Sequence, residues 1–212
     1  MQFDPASIAA LIVAASFAAG LNVYATLATL GMLARFNLVA LPSGLEALTH
    51  TWILVACILL FAAEFVADKI PGLDLIWSGL HTLVRIPVAA LIAYRAAMNL
   101  SPEMQVLAAI TGALIALATH GSKTAVRAAV TPSPEPFSNI ALSTGEDLMA
   151  IGVTWLATRH PFVAATIAAI LTLIAVLAMR WLVRLARRVL PKAPPSRPAA
   201  QPPLPPQGSE LR

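Results

Sequence analysis

The chain has 212 residues, 58% of them hydrophobic and only 11% charged, with a formal net charge of +4. Mean hydropathy is +0.79 and the pI is near 9.8. Soluble domains are about 45–50% apolar and about 25% charged, so this composition excludes a soluble globular domain, a disordered chain and a nucleic-acid binder. It points to an all-α membrane protein whose main partner is the lipid bilayer. At about 20 residues per span, residues 1–190 hold about six transmembrane helices and no separate soluble domain. Residues 191–212 are proline-rich and read as a disordered cytoplasmic tail.

The first apolar run, Pro5 to Ala34, carries no charge. As one helix it would be about 45 Å long, against a hydrocarbon core of about 30 Å. Asp4 and Pro5 suit an N-cap and a first helical residue. A break is expected at Gly20-Leu21-Asn22, where glycine and asparagine weaken a helix. The second span runs from about Leu48 to Ile70 and stops at Pro71. The next stretch, PGLDLIWSGLHTLVR, reads as a surface or re-entrant helix, and a short third span follows from Pro87 to Met98. The fourth begins at Ser101-Pro102-Glu103 and ends near His120. The fifth lies between Asn139 and Thr158. Its start is open: Ser138 or Asn139 can cap it, or Ser143-Thr-Gly-Glu146 can form a capping box, leaving 131–145 to fold back as a re-entrant loop. The sixth starts at Pro161, and Arg180, Arg184, Arg187 and Arg188 give it a basic end suited to anionic lipid.

An even number of spans puts both termini on one side, together with Lys69, Arg85, Lys123, Arg127 and the basic tail. Arg35, Arg95 and Arg159 fall opposite. The positive-inside rule then makes both termini cytoplasmic. Six spans divide into two inverted halves, a common transporter plan, and Gly20-Leu21-Asn22 finds a faint echo in Gly121-Ser122-Lys123.

Ionisable residues inside spans are costly and tend to face a cavity or a partner. Glu64 and Asp68 are one helical turn apart, followed by Lys69 and Asp74. Lys123 and Arg127 are likewise one turn apart, and Glu146 and Asp147 open the fifth span. With the expected topology all eight gather at the cytoplasmic end, together with Arg85 and Glu135, as a candidate substrate or ion site. Carboxylates outnumber bases there, so Glu64 is the first candidate to take up a proton or cation. His81 reads as interfacial and His160 as a helix start. Cys57 is the single cysteine and can form no internal disulfide. The sequence has no HExxH, GxSxG, phosphate-loop or CxxC pattern, and it names no cofactor.

The strings GLNVY, EFVADKIPGLD, HTLVRIP, HGSKTAVR and SPEPFSN, with Glu146-Asp147 and His160-Pro161, resemble a family of small bacterial multi-pass membrane proteins known only as a domain of unknown function. The likeness covers about residues 15–165. The chain departs from the family pattern at Asn22, where arginine is expected. The resemblance implies an inner-membrane protein and assigns no activity or site. Three functions fit the residues. The first is a small transporter or channel-like carrier; the second, an accessory or scaffold protein. The third is an enzyme acting on a lipid phosphate headgroup, with a divalent metal held by Asp68, Asp74, Glu146 or Asp147.

Overall fold

The computed structural model describes residues 4–70, 73–130 and 136–189, with backbone alone at 73–76, 78, 128–130, 136–139 and 186–189. All regular structure there is helical: α1 Pro5–Leu21, α2 Val23–Arg35, a 3₁₀ segment Ser43–Thr49, α3 Thr51–Ala67, α4 Leu73–Ala96, α5 Pro102–Val130, α6 Pro136–Arg159 and α7 Pro161–Val189. Asp4 caps α1, accepting from the Ala6 amide at 3.1 Å and from the Ser7 amide and hydroxyl at 3.2 and 3.0 Å. These bonds, the Ala6 amide foremost, hold the Asp4 carboxyl below its ordinary value. The cap therefore supports α1 above the usual carboxylate pKa and is lost as pH falls through the lowered one. At the far end of α2, Asn37 takes φ 55°. Its amide bonds the Ala34 carbonyl while Leu38 bonds Leu33, both at 2.9 Å, a Schellman ending with asparagine in the left-handed position.

Burial is inverted relative to a soluble protein. Trp52, Leu59, Leu83, Leu114, Leu173 and Trp181 are exposed, while Glu64, Asp68, Arg85 and Arg127 are wholly buried. An apolar exterior around a polar centre suits lipid outside. Two helical stretches, Pro102–Arg127 and Pro161–Leu185, are long and apolar enough to cross a bilayer. The 3₁₀ segment and α3, bent by 73°, make a third candidate.

Helix α1 is the central post. One face packs Ile8, Ile12, Ala15 and Ala19 with Ala89, Ala93 and Ala96 of α4. The other packs Leu11, Ala14 and Ala18 with Ala150 and Ala157 of α6 and Ala164 and Ala168 of α7. Small residues let the backbones approach closely, which is how membrane helices gain contact where apolar burial offers little. A Cβ on Gly112 of α5 would stand 2.7 Å from Ala93 and 3.0 Å from the Ser16 hydroxyl. One on Gly20 would stand 2.7 Å from Thr119.

These contacts fix directions. Pro5 and Ile12 line a groove with Leu100 and Met104, Ser16 meets Gly112, Gly20 meets Thr119, and Leu21 meets Lys123. So α1 and α5 run parallel. Pairing of Ala93 with Gly112 and of Thr82 with His120 makes α4 antiparallel to both. The start of α1 therefore lies at the end of the bundle where α4 finishes. Gly44 abuts the Arg95 carbonyl at that end, and Gly31 abuts the Leu48 carbonyl. Leu48 is four residues from Gly44, at most about 14 Å of chain. Hence α2 returns towards the end from which α1 came. The Arg35 guanidinium closes the return with a 2.8 Å bond to the Thr49 carbonyl. Helices α1 and α2 form a helical hairpin with Asn22 at its apex.

Several expectations change. The first apolar run is no single crossing. The break is Asn22, extended at φ −150°, ψ 105°, whereas Gly20 lies inside α1 as a point of close packing. An inverted repeat would set the first and fourth spans in opposite directions; α1 and α5 run parallel. The stretch before Pro87 is no separate segment, because α4 passes through Pro87 from Leu73 to Ala96. A proline removes one helix bond, which a membrane helix tolerates when its neighbours hold it. Helix α5 continues past His120 to Val130, since its terminal cations are paired and need not reach water. Helix α6 starts at Pro136, so Ser143 is internal and forms no capping box. The tail from Pro191 and residues 131–135 lie outside the described residues.

Candidate functional site

The break between α1 and α2 leaves backbone groups outside the helix ladder, and the side chains of Asn22, Thr26 and Lys123 supply them. Asn22 accepts from the Ala25 amide at 2.9 Å, capping α2. Its amide donates to Asp147 Oδ1 of α6, also at 2.9 Å. Lys123 Nζ of α5 donates to the Leu21 carbonyl at 2.9 Å, satisfying the end of α1. The same ammonium lies 3.2 Å from Asp68 and 3.2 Å from Glu146.

Arg127, one turn further along α5, donates to Asp68 Oδ2 at 2.9 Å and to Glu146. Asp68 and Glu146 thus bracket two cations, a four-membered charge box beneath the hairpin. A second group adjoins it. Arg85 of α4 pairs with Glu64 of α3 and donates to His120 Nδ1 at 2.8 Å. Guanidinium has only donors, so Nδ1 accepts and the imidazole is neutral, with its hydrogen on Nε2. That hydrogen points to the Thr82 hydroxyl at 2.7 Å. His81, one turn away, stacks on Trp77 with centroids 4.5 Å apart and meets the Tyr24 ring edge-on. It packs the hairpin arm α2 against α4.

At about 1.5 Å per residue, Glu146 lies about 15 Å into α6, while Asp68 caps the end of α3 and Arg127 is about 5 Å from the end of α5. A cavity of about 190 Å³ approaches the box between α1, α5, α6 and α7, bordered by Leu21, Thr119, Ser122, Lys123 and Glu146.

Of the eight residues expected at the site, Glu64, Asp68, Lys123, Arg127, Glu146 and Asp147 come together. Lys69 stays partly buried at its edge, its Nζ 3.0 Å over the Phe65 ring and 3.2 Å from the Phe65 carbonyl. The Asp74 side chain lies outside the described residues. Asn22 joins the site directly. Gly20 serves it by letting α1 close on α5. Arg85 and His120 belong to it too, and a charge in mid-span was the signal for Arg85. Among the described residues no three metal-type donors gather, and Asp68 and Glu146 already hold lysine and arginine.

The family described as Domain of unknown function (DUF4126) matches residues 9–181. No curated protein and no solved structure matches the chain.

Proposed function

The chain belongs to the DUF4126 family, and from that premise we propose that it is a multi-pass protein of the bacterial inner membrane that carries a small ion or solute. The observation that supports this reading is the hairpin apex. A helix broken within the bundle brings one helix's carbonyl end and another's amide end together at a polar site, as carriers do at their binding sites. Here charged residues from α3, α4, α5 and α6 converge on that point. Helices α3 to α7 make five crossings, and the hairpin enters and leaves on one side.

Lys69, Arg180 and Arg184 share the end where α7 finishes, while Arg35, Arg95 and Arg159 share the other. The positive-inside rule places the end of α7 in the cytoplasm and the start of α1 outside, replacing the expectation that both termini lie inside. The basic end of α7 is placed to meet anionic lipid. In a Cys57→Ala background, a membrane-impermeant maleimide will label Ala6→Cys on intact spheroplasts and Arg184→Cys only after lysis. The reverse pattern would overturn this topology.

Purified protein in proteoliposomes will dissipate an imposed proton or alkali-cation gradient faster than empty vesicles. Vesicles that stay tight to protons, sodium, potassium, chloride and phosphate would favour the scaffold reading. One observation supports that alternative: among the described residues three buried cations already neutralise three of four buried carboxylates, which also suits a lock between helices.

A further inference from the structure

The charge balance of the site has a remainder. Among the described residues its wholly or nearly wholly buried carboxylates are Glu64, Asp68, Glu146 and Asp147, and its buried cations are Arg85, Lys123 and Arg127. Arg85 serves Glu64; Lys123 and Arg127 serve Asp68 and Glu146. His120 is neutral by its bond to Arg85. Asp147 is left with a neutral partner, the Asn22 amide. It is 3% exposed, and its Oδ2 has no hydrogen-bond partner among the described residues. An ionised carboxylate so placed would be a buried charge with no direct ion pair among the described residues, Lys123 and Lys69 acting on it only from a distance. Uptake of one proton removes that charge. A metal ion would need several oxygens around it, and no such group forms among the described residues.

We propose that Asp147 is an exchangeable proton site at the apex of the helical hairpin. The groups that act on it lie on each neighbouring segment. Asn22 bonds it from the apex; Asp68, Glu64 and Lys69 face it from α3 and its end; Lys123 faces it from α5. Glu146 precedes it on α6, and Arg85 of α4 is engaged by Glu64. Lys69 is the adjustable one. It is part-exposed, and its ammonium rests on the Phe65 carbonyl and ring. Moving it towards Asp147 would favour the carboxylate and release the proton; moving it away would favour uptake. Asn22 fits both states, since its amide donates to Oδ1 whether or not Oδ2 carries hydrogen. The cavity bordered by Lys123 and Glu146 reaches the residue that precedes Asp147 on α6.

The site deepens the carrier reading by naming its ion as the proton, and rests on that reading only for transport. The test is infrared difference spectroscopy of the full-length protein in lipid nanodiscs, titrated with pH. Wild type should show a protonated-carboxyl stretch that Asp147→Asn removes and that the exposed-residue control Glu46→Gln leaves intact. Lys69→Gln should keep the band and move its midpoint to higher pH, because a cation facing the carboxylate is gone. A band that persists in Asp147→Asn overturns the proposal. So does a midpoint unmoved, or moved lower, in Lys69→Gln. If Asp147 titrates in this way but wild-type proteoliposomes are proton-tight, the site stands and the carrier reading falls. If vesicles carry sodium or potassium while Asp147 never protonates, the carrier reading stands and this inference falls.

Discussion

Arg127→Leu should destabilise the protein by about 3–5 kcal/mol, the usual cost of removing one partner from a buried ion pair. Arg127 is wholly buried, and its guanidinium binds Asp68 Oδ2 at 2.9 Å and Glu146 as well. Leucine fills part of the volume but leaves two carboxylates facing a single ammonium, Lys123, at 3.2 Å from each. One lysine cannot neutralise both. Denaturant or thermal unfolding in a fixed detergent measures the loss. Arg184→Leu is the matched control: this arginine is exposed on α7, and surface changes usually stay within about 0.5 kcal/mol. Adding Glu146→Gln to Arg127→Leu removes the surplus charge and should recover part of the stability, the non-additivity expected of residues in one network. Unfolding of Arg127→Leu at the wild-type midpoint would show that the charge box holds nothing together.

Much of this site was legible because membrane helices carry few charges. Glu64, Asp68, Lys123, Arg127, Glu146 and Asp147 stand out in apolar sequence, and each pair at one-turn spacing had to face one side. The break at Asn22 was legible for the same reason, an amide and a glycine in an uncharged run. What the sequence could not supply was direction. An apolar run of 30 residues can cross obliquely or turn back at its middle, and hydropathy is the same for both. The choice lies in distant contacts: Gly31 with Leu48, Gly44 with Arg95, Arg35 with Thr49. One changed direction sets α1 parallel to α5, where two inverted halves would have set them opposed. Pro87 misled in a similar way. Proline reads as a helix boundary from local chemistry, yet neighbours held α4 through it.

Those contacts lead to the second large effect. Gly44→Ala should cost about 1–3 kcal/mol, the usual range for overpacking a filled position, and Gly31→Ala a comparable amount. A Cβ on Gly44 would overlap the Arg95 carbonyl oxygen and stand 2.8 Å from its carbon. Both sides of that contact are backbone, so neither can rotate out of the way. A Cβ on Gly31 would overlap the Leu48 carbonyl oxygen and stand 2.6 Å from a Leu54 methyl. Relief requires the 3₁₀ segment to lift from α4 in one variant and from α2 in the other. That segment holds the open end of the hairpin, opposite Asn22. Its displacement should therefore loosen α2 at Tyr24 and His81, where the arm meets α4 edge to face with centroids 5.7 Å apart. Gly79→Ala is the control, since a Cβ there meets nothing within 4 Å and alanine favours a helix. It should be neutral or slightly stabilising. Unfolding midpoints of the three variants in one detergent decide the matter. Equal midpoints for Gly44→Ala and Gly79→Ala would mean that the 3₁₀ segment does not bear on α4, and the hairpin would lose the contact that fixes its direction.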